Sequence, residues 1–146
     1  MLPEELKSAL SKHKKWVFVY DWEFFSMRIH DELVISVLED CQFLYVEMIF
    51  DVVQSELQKK NDRLKFWDAF FKLLSQKRYD DICGFLDNDR GLALVFTHSN
   101  SSDNNIAWTR FCECILSKTG FNMLKWDGIN YAEYPPKEFF VSNNET

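Results

Sequence analysis

Between Asp31 and Lys60 apolar residues recur at Val34, Val37, Leu38, Cys41, Leu44, Tyr45, Met48, Ile49, Val52 and Val53. That spacing follows one face of an α-helix and not the alternation of a strand. It predicts a single helix of about thirty residues, and the rest of the fold has to be arranged around a rod of that length.

Short runs of β-formers flank this segment. Trp16–Tyr20 and Leu92–Thr97 are the apolar stretches expected of buried strands, and Phe121–Trp126 is read as a third. Residues 3–13 predict a short helix, with Pro3 suited to a first turn, Glu4 and Glu5 at the positive end of the dipole and Lys12 near the other end. Leu64, Trp67, Phe70, Phe71 and Leu74 predict another helix, with Asp62 as its cap and a helical extension over Tyr79–Leu86. Asp87–Gly91 is a turn, 104–118 a helix stopped by Gly120, and Asp127-Gly128 a hairpin signal that returns Ile129–Tyr134 antiparallel to the third strand.

Strands separated by helices imply right-handed crossovers. The expected fold class is therefore α/β: a helix-rich three-layer domain with a small, mostly parallel sheet of about three or four strands and a C-terminal antiparallel hairpin. One domain is expected over residues 1–146, with 142–146 as a frayed tail.

Composition narrows the class further. Hydrophobic residues make up 47% and aromatics 16% of the chain, against 4 Gly and 3 Pro, the opposite of a disordered balance. The first residues lack a secretory pattern and no apolar run is long enough to span a bilayer, so a soluble cytoplasmic protein without membrane association is expected. Cys41, Cys83, Cys112 and Cys114 show no zinc spacing and read as reduced thiols. A net charge of −6 argues against direct, sequence-independent nucleic-acid binding.

The charge is segmented. From Asp21 to Glu56 nine acids face one base, Arg28; from Lys59 to Arg78 seven bases face Asp62 and Asp68. On the wheel of the predicted long helix, Glu32, Ser36, Glu39, Asp40, Glu47, Asp51 and Gln54 share one arc with Phe43 and Phe50 inside it. Acids around aromatic anchors suit a basic protein partner, because carboxylates steer encounter while buried rings supply affinity. The expected partner-binding set is Glu32, Glu39, Asp40, Phe43, Glu47, Phe50 and Asp51. The structural alternative is a sandwiched helix, with both rings packed beneath the Lys-rich helix or the C-terminal hairpin.

Catalytic motifs are lacking: there is no Gly-rich phosphate loop, no H-E-x-x-H and no G-x-S-x-G. If the strands ending at Tyr20 and Thr97 are parallel neighbours, Asp21, Glu23, His98, Ser99 and Asp103 share the carboxyl edge where α/β sheets bind ligands. Val17–Trp22, Leu94–Thr97 and a polar loop with Asp103 before a helix and a last strand give residues 16–126 a layout that resembles PIN and NYN nuclease domains. That resemblance implies metal-dependent cleavage with Asp21 and Asp103 as catalytic acids. The chain departs from those families after Thr97, where His98 and Ser99 stand in place of an acid.

The strand-helix-strand plan with an acidic helix is also loosely similar to small toxin inhibitors of the barstar kind. The function expected from the sequence is a non-catalytic acidic domain, an immunity or antitoxin-type inhibitor of a basic toxin or nuclease, with no cofactor and no metal. The alternatives are the PIN/NYN-like nuclease and a homodimeric scaffold packed through exposed Phe or Trp residues.

Overall fold

A computed structural model describes residues 1–76, 82–97 and 101–136, the side chains of 101–105 excepted. The expected tail at 142–146 and the residues His98 and Ser99 lie outside the described residues.

The long amphipathic segment is not one helix. Helix α2 covers Trp22–Glu39, strand β1 covers Phe43–Ile49 and a short helix α3 covers Phe50–Glu56. Asp21 opens α2 by accepting the Phe24 N–H at 3.0 Å, as an N-cap carboxylate does. Asp40 closes it in the left-handed region at φ 55°, where its N–H and that of Cys41 return to carbonyls of the last turn. The chain then extends into β1, whose Leu44, Val46 and Met48 face one side and whose Phe43, Tyr45, Glu47 and Ile49 face the other. A strand buried on both faces is apolar at nearly every position, so it also satisfies a three-or-four-residue spacing.

The remaining elements are α1 Glu4–His13, α4 Lys60–Leu74, β2 Ile82–Phe85, β3 Gly91–Thr97, α5 Ser101–Thr119 and β4 Ile129–Tyr134. Strand order is β2-β3-β1-β4 and every neighbouring pair is antiparallel, which corrects the mostly parallel sheet expected above. The reason is a skipped position. The crossovers from β1 to β2 and from β3 to β4 each bring the chain back in its original direction, but one strand over, and the gap is filled by a strand of opposite direction. This is the split βαβ arrangement of ferredoxin-like sheets.

Other expectations shift with it. The hairpin is β2–β3 in mid-chain, not C-terminal. The helical extension expected over Tyr79–Leu86 gives way to strand at Ile82–Phe85, and residues 77–81 lie outside the described residues. The expected strand at 121–126 is a 3-10 turn over Met123–Lys125, and β4 pairs with β1 in place of it. The expected strand at 16–20 is reduced to a parallel bridge between Tyr20 and Gly84 on the outer edge of β2.

Helices cover both faces of the sheet. On one side α4 and α5 pack over Leu44, Val46, Met48, Leu92 and Leu94, with α1 outside α4. The aromatic stripe Phe66, Trp67, Phe70 and Phe71 of α4 dominates this layer, and it meets Phe50, Phe111 and Trp126 at centroid distances of 5.2–5.8 Å. Such ring pairs each add about 0.5–1.5 kcal/mol beyond the area they bury. On the opposite face α2 lays Phe25 over Ile82, Ala93 and Val95.

Candidate functional site: a cleft between α2 and the β1–β4 half of the sheet

Helix α2 rests on the β2 side of its face of the sheet, where Gly84 lets the Phe25 ring come down onto the backbone. A Cβ at residue 84 would lie 2.1 Å from that ring. Strands β1 and β4 on the same face are thereby left beside the helix and not beneath it. The result is an open cavity of about 390 Å³, within the usual range for small-molecule sites.

Trp22, Phe25, Ile29 and Leu33 of α2 form one wall. The floor is Phe43, Tyr45 and Glu47 of β1 with Tyr134 of β4, which stands opposite Phe43 in the strand pairing. The Tyr134 ring lies 6.1 Å from Phe43 and 6.0 Å, edge to face, from Tyr45. Ser26 also borders the cavity, but its hydroxyl donates to the Glu23 carbonyl at 2.8 Å.

Glu47 is the acid of this cleft, and its position on the strand is held from two sides. The Tyr45 hydroxyl donates to Oε2 at 3.0 Å, and Arg90 Nη1 donates to Oε1 at 3.1 Å. Arg90 is in turn fixed through Nε to Asp87 at 2.7 Å. Burial, then the neighbouring Glu47 carboxylate, pushes the Tyr45 phenol far above its ordinary range, so it stays a donor throughout the accessible pH range. Among the described residues each Glu47 oxygen accepts from one of these partners, which leaves it a second acceptor direction.

The residues expected to bind a partner do not make one stripe, and this corrects the acidic-helix reading. Glu32 is buried on α2 and paired with Arg28 at 2.6 Å, while Glu39 and Asp40 are exposed at the helix end. Phe43 and Phe50 are buried on opposite sides of the sheet. Glu47 is in the cleft, and Asp51 is exposed in the first turn of α3. These seven residues form no solvent-facing arc of acids around aromatic anchors.

The two acids of the nuclease-like layout are not placed at a common strand end either. Tyr20 runs parallel to β2, and β2 runs antiparallel to β3, so Asp21 leaves toward the Phe85 end of β2, away from Thr97. Asp21 is occupied as the α2 cap; Asp103 falls in α5, and its side chain is outside the described residues. Among the described residues no three His, Cys, Asp or Glu side chains cluster as metal ligands. Cys83 and Cys112 are buried and Cys114 is exposed, and burial pushes the Cys112 thiol up to about 12, which removes it as a nucleophile. No helix among the described residues is long and apolar enough to cross a membrane.

Sequence reasoning picked out Phe43 and Glu47 but gave both the wrong setting, and it missed Tyr45, Tyr134 and Arg90. The available signal was the i, i+2 spacing of Phe43, Tyr45 and Glu47, which places them on one face once the segment is read as a strand.

No family model matches the sequence, and no curated protein does. Among solved structures the chain is similar to a GGDEF domain, that of TpbB (YfiN) from Pseudomonas aeruginosa, at a TM-score of 0.48 and 16% identity over 80% of this chain and 72% of that one. That similarity is too low to say anything of this chain's reaction or ligand. The acidic stripe that motivated a non-catalytic, immunity-type inhibitor is not formed, because Phe43 and Phe50 lie on opposite sides of the sheet, and that expectation is withdrawn.

Proposed function

We propose that this chain binds a planar aromatic molecule carrying adjacent N–H donors in the cleft between α2 and the β1–β4 half of the sheet. The observation that supports this reading is a cavity of ligand size, walled by aromatic and aliphatic side chains, whose floor carries one carboxylate with acceptor capacity on both oxygens. Trp22 and Tyr134 both line the cavity and offer aromatic surface to a flat ring, and paired N–H groups are what a fixed carboxylate recognises. Arg90 and Tyr45 orient Glu47 before any ligand arrives, which lowers the ordering cost of binding.

A fragment titration tests this. 2-Aminobenzimidazole, a flat ring with two N–H groups side by side, is expected to perturb the NMR signals of the Trp22 indole and the Leu33 methyls. Indole-3-acetate, equally flat but anionic, is expected to leave them unchanged. Glu47→Gln should weaken the first ligand by about tenfold or more, since it replaces a charge-assisted pair by a neutral one. Absence of binding by 2-aminobenzimidazole, or binding that ignores both Glu47→Gln and the cleft-filling Leu33→Trp, would defeat the proposal.

A further inference from the structure

Helix α2 is apolar on two sides. Phe25, Ile29 and Leu33 face the sheet, and at 100° per residue Phe24, Met27, Val34, Ile35 and Leu38 gather on the opposite side with Asp31 among them. These five apolar side chains are all in water, with Met27 at 62% and Leu38 at 79% exposure. The steps 24–27–31–34–38 alternate three and four residues, the period of a helix-helix seam. Together they expose on the order of 500 Å² of apolar surface, at the upper end of what a monomer carries.

We infer that this outer face of α2 pairs with the same face of a second copy of the chain, antiparallel, about a two-fold axis. Charge chooses the occupant. Asp31 is the charged residue within the seam, and Arg28 stands one turn before it on the flank, paired to Glu32 of its own helix. An antiparallel pair centred at the level of residue 29 puts Phe24 against Val34 of the other copy and brings each Arg28 beside the other copy's Asp31. An isologous contact makes that match twice. With Leu38 level with residue 20 of the other copy, just before its α2 begins, the apolar surface buried helix against helix is somewhat below about 1,000 Å², the low, reversible end of specific interfaces. The cleft lies on the other side of α2, so this inference stands or falls independently of the ligand.

Sedimentation equilibrium on the purified chain, from micromolar to sub-millimolar concentration, reads it directly. The expected mass rises with concentration from 17.5 kDa toward twice that value. Met27→Glu should weaken association by about tenfold or more, and Asp31→Arg, which sets like charges against Arg28, should do the same. Both positions are in water in the single chain, so both variants should keep the circular dichroism spectrum of the parent. A mass fixed at the single-chain value at every concentration overturns the inference. So does a dimer that neither substitution weakens, or loss of the fold in both variants, which would place these side chains inside.

Discussion

A missing methyl group at residue 84 decides how close α2 can come to the sheet. Gly84 lies beneath Phe25, and an added Cβ would sit 2.1 Å from two ring carbons and 2.7 Å from the Phe25 Cβ. The ring is fully buried and cannot swing away without opening the layer. Elsewhere in a strand Gly→Ala would help by lowering backbone entropy in the unfolded chain. Here overpacking wins, and Gly84→Ala should cost about 1–3 kcal/mol, read from the midpoint of urea unfolding. The double variant with Phe25→Ala should cost clearly less than the sum of the singles, because the two residues share one contact. Additivity would show that the ring does not hold this position.

At the scale of elements, α1 is held on α4 by polar contacts at its two ends. Arg63 reaches Glu5 through Nε at 3.1 Å and Nη2 at 2.9 Å while its Nη1 caps the carbonyls of Leu57 and Gln58. At the other end Asp68 meets His13 at 2.8 Å and Lys12 at 3.1 Å. Burial pulls the Glu5 carboxyl upward, but its own backbone N–H and the Arg63 guanidinium outweigh that and leave it below its ordinary range. Asp68 is lowered by its hydrogen bond with His13 and then by Lys12. Carboxyls lowered by folding stabilise fully above their unfolded values near pH 4 and lose that contribution as pH falls through the folded values. Stability should therefore drop on acidification below about pH 4, and Glu5→Gln with Asp68→Asn should flatten that part of the profile. An unchanged profile would rule these two staples out.

Elements of one burial pattern were legible from the residues alone: α1 and β3 stand near their expected bounds, α4 is a helix although it starts at Lys60 with Asp62 inside its first turn and not as its cap, and α5 ends at Gly120 with φ 82° as its glycine implied. The junction of α2 and β1 was not. Asp40 takes the left-handed conformation that glycine usually marks, and β1 is apolar on both faces, so a stop and a strand together imitate a continuing helix. The cleft followed that error, because Tyr45 and Glu47 share a face only in a strand. Tyr134 joins them through a strand pairing that no local pattern announces.

Across the whole molecule the two sides of the sheet are unequally built. The α4–α5 side holds the aromatic stripe and most of the buried side chains, while the α2 side closes over Phe25, Phe43, Ile82, Leu86, Ala93 and Val95. Regions with fewer buried apolar contacts open at lower free energy than the global transition. Amides of α2 should therefore exchange with deuterium well before those of α4, measured peptide by peptide in mass spectrometry; equal protection would mean that the two layers unfold as one unit. The route between these layers carries its own consequence. The chain passes from α1 on one side to α2 on the other around the outer margin of β2, and at Tyr20 it uses the Cys83 carbonyl and the Phe85 N–H that this margin would otherwise present to solvent. The chain at Tyr20 thus works as a strap that blunts one rim of the sheet, so that a foreign strand seeking to extend it there finds these two backbone groups already engaged.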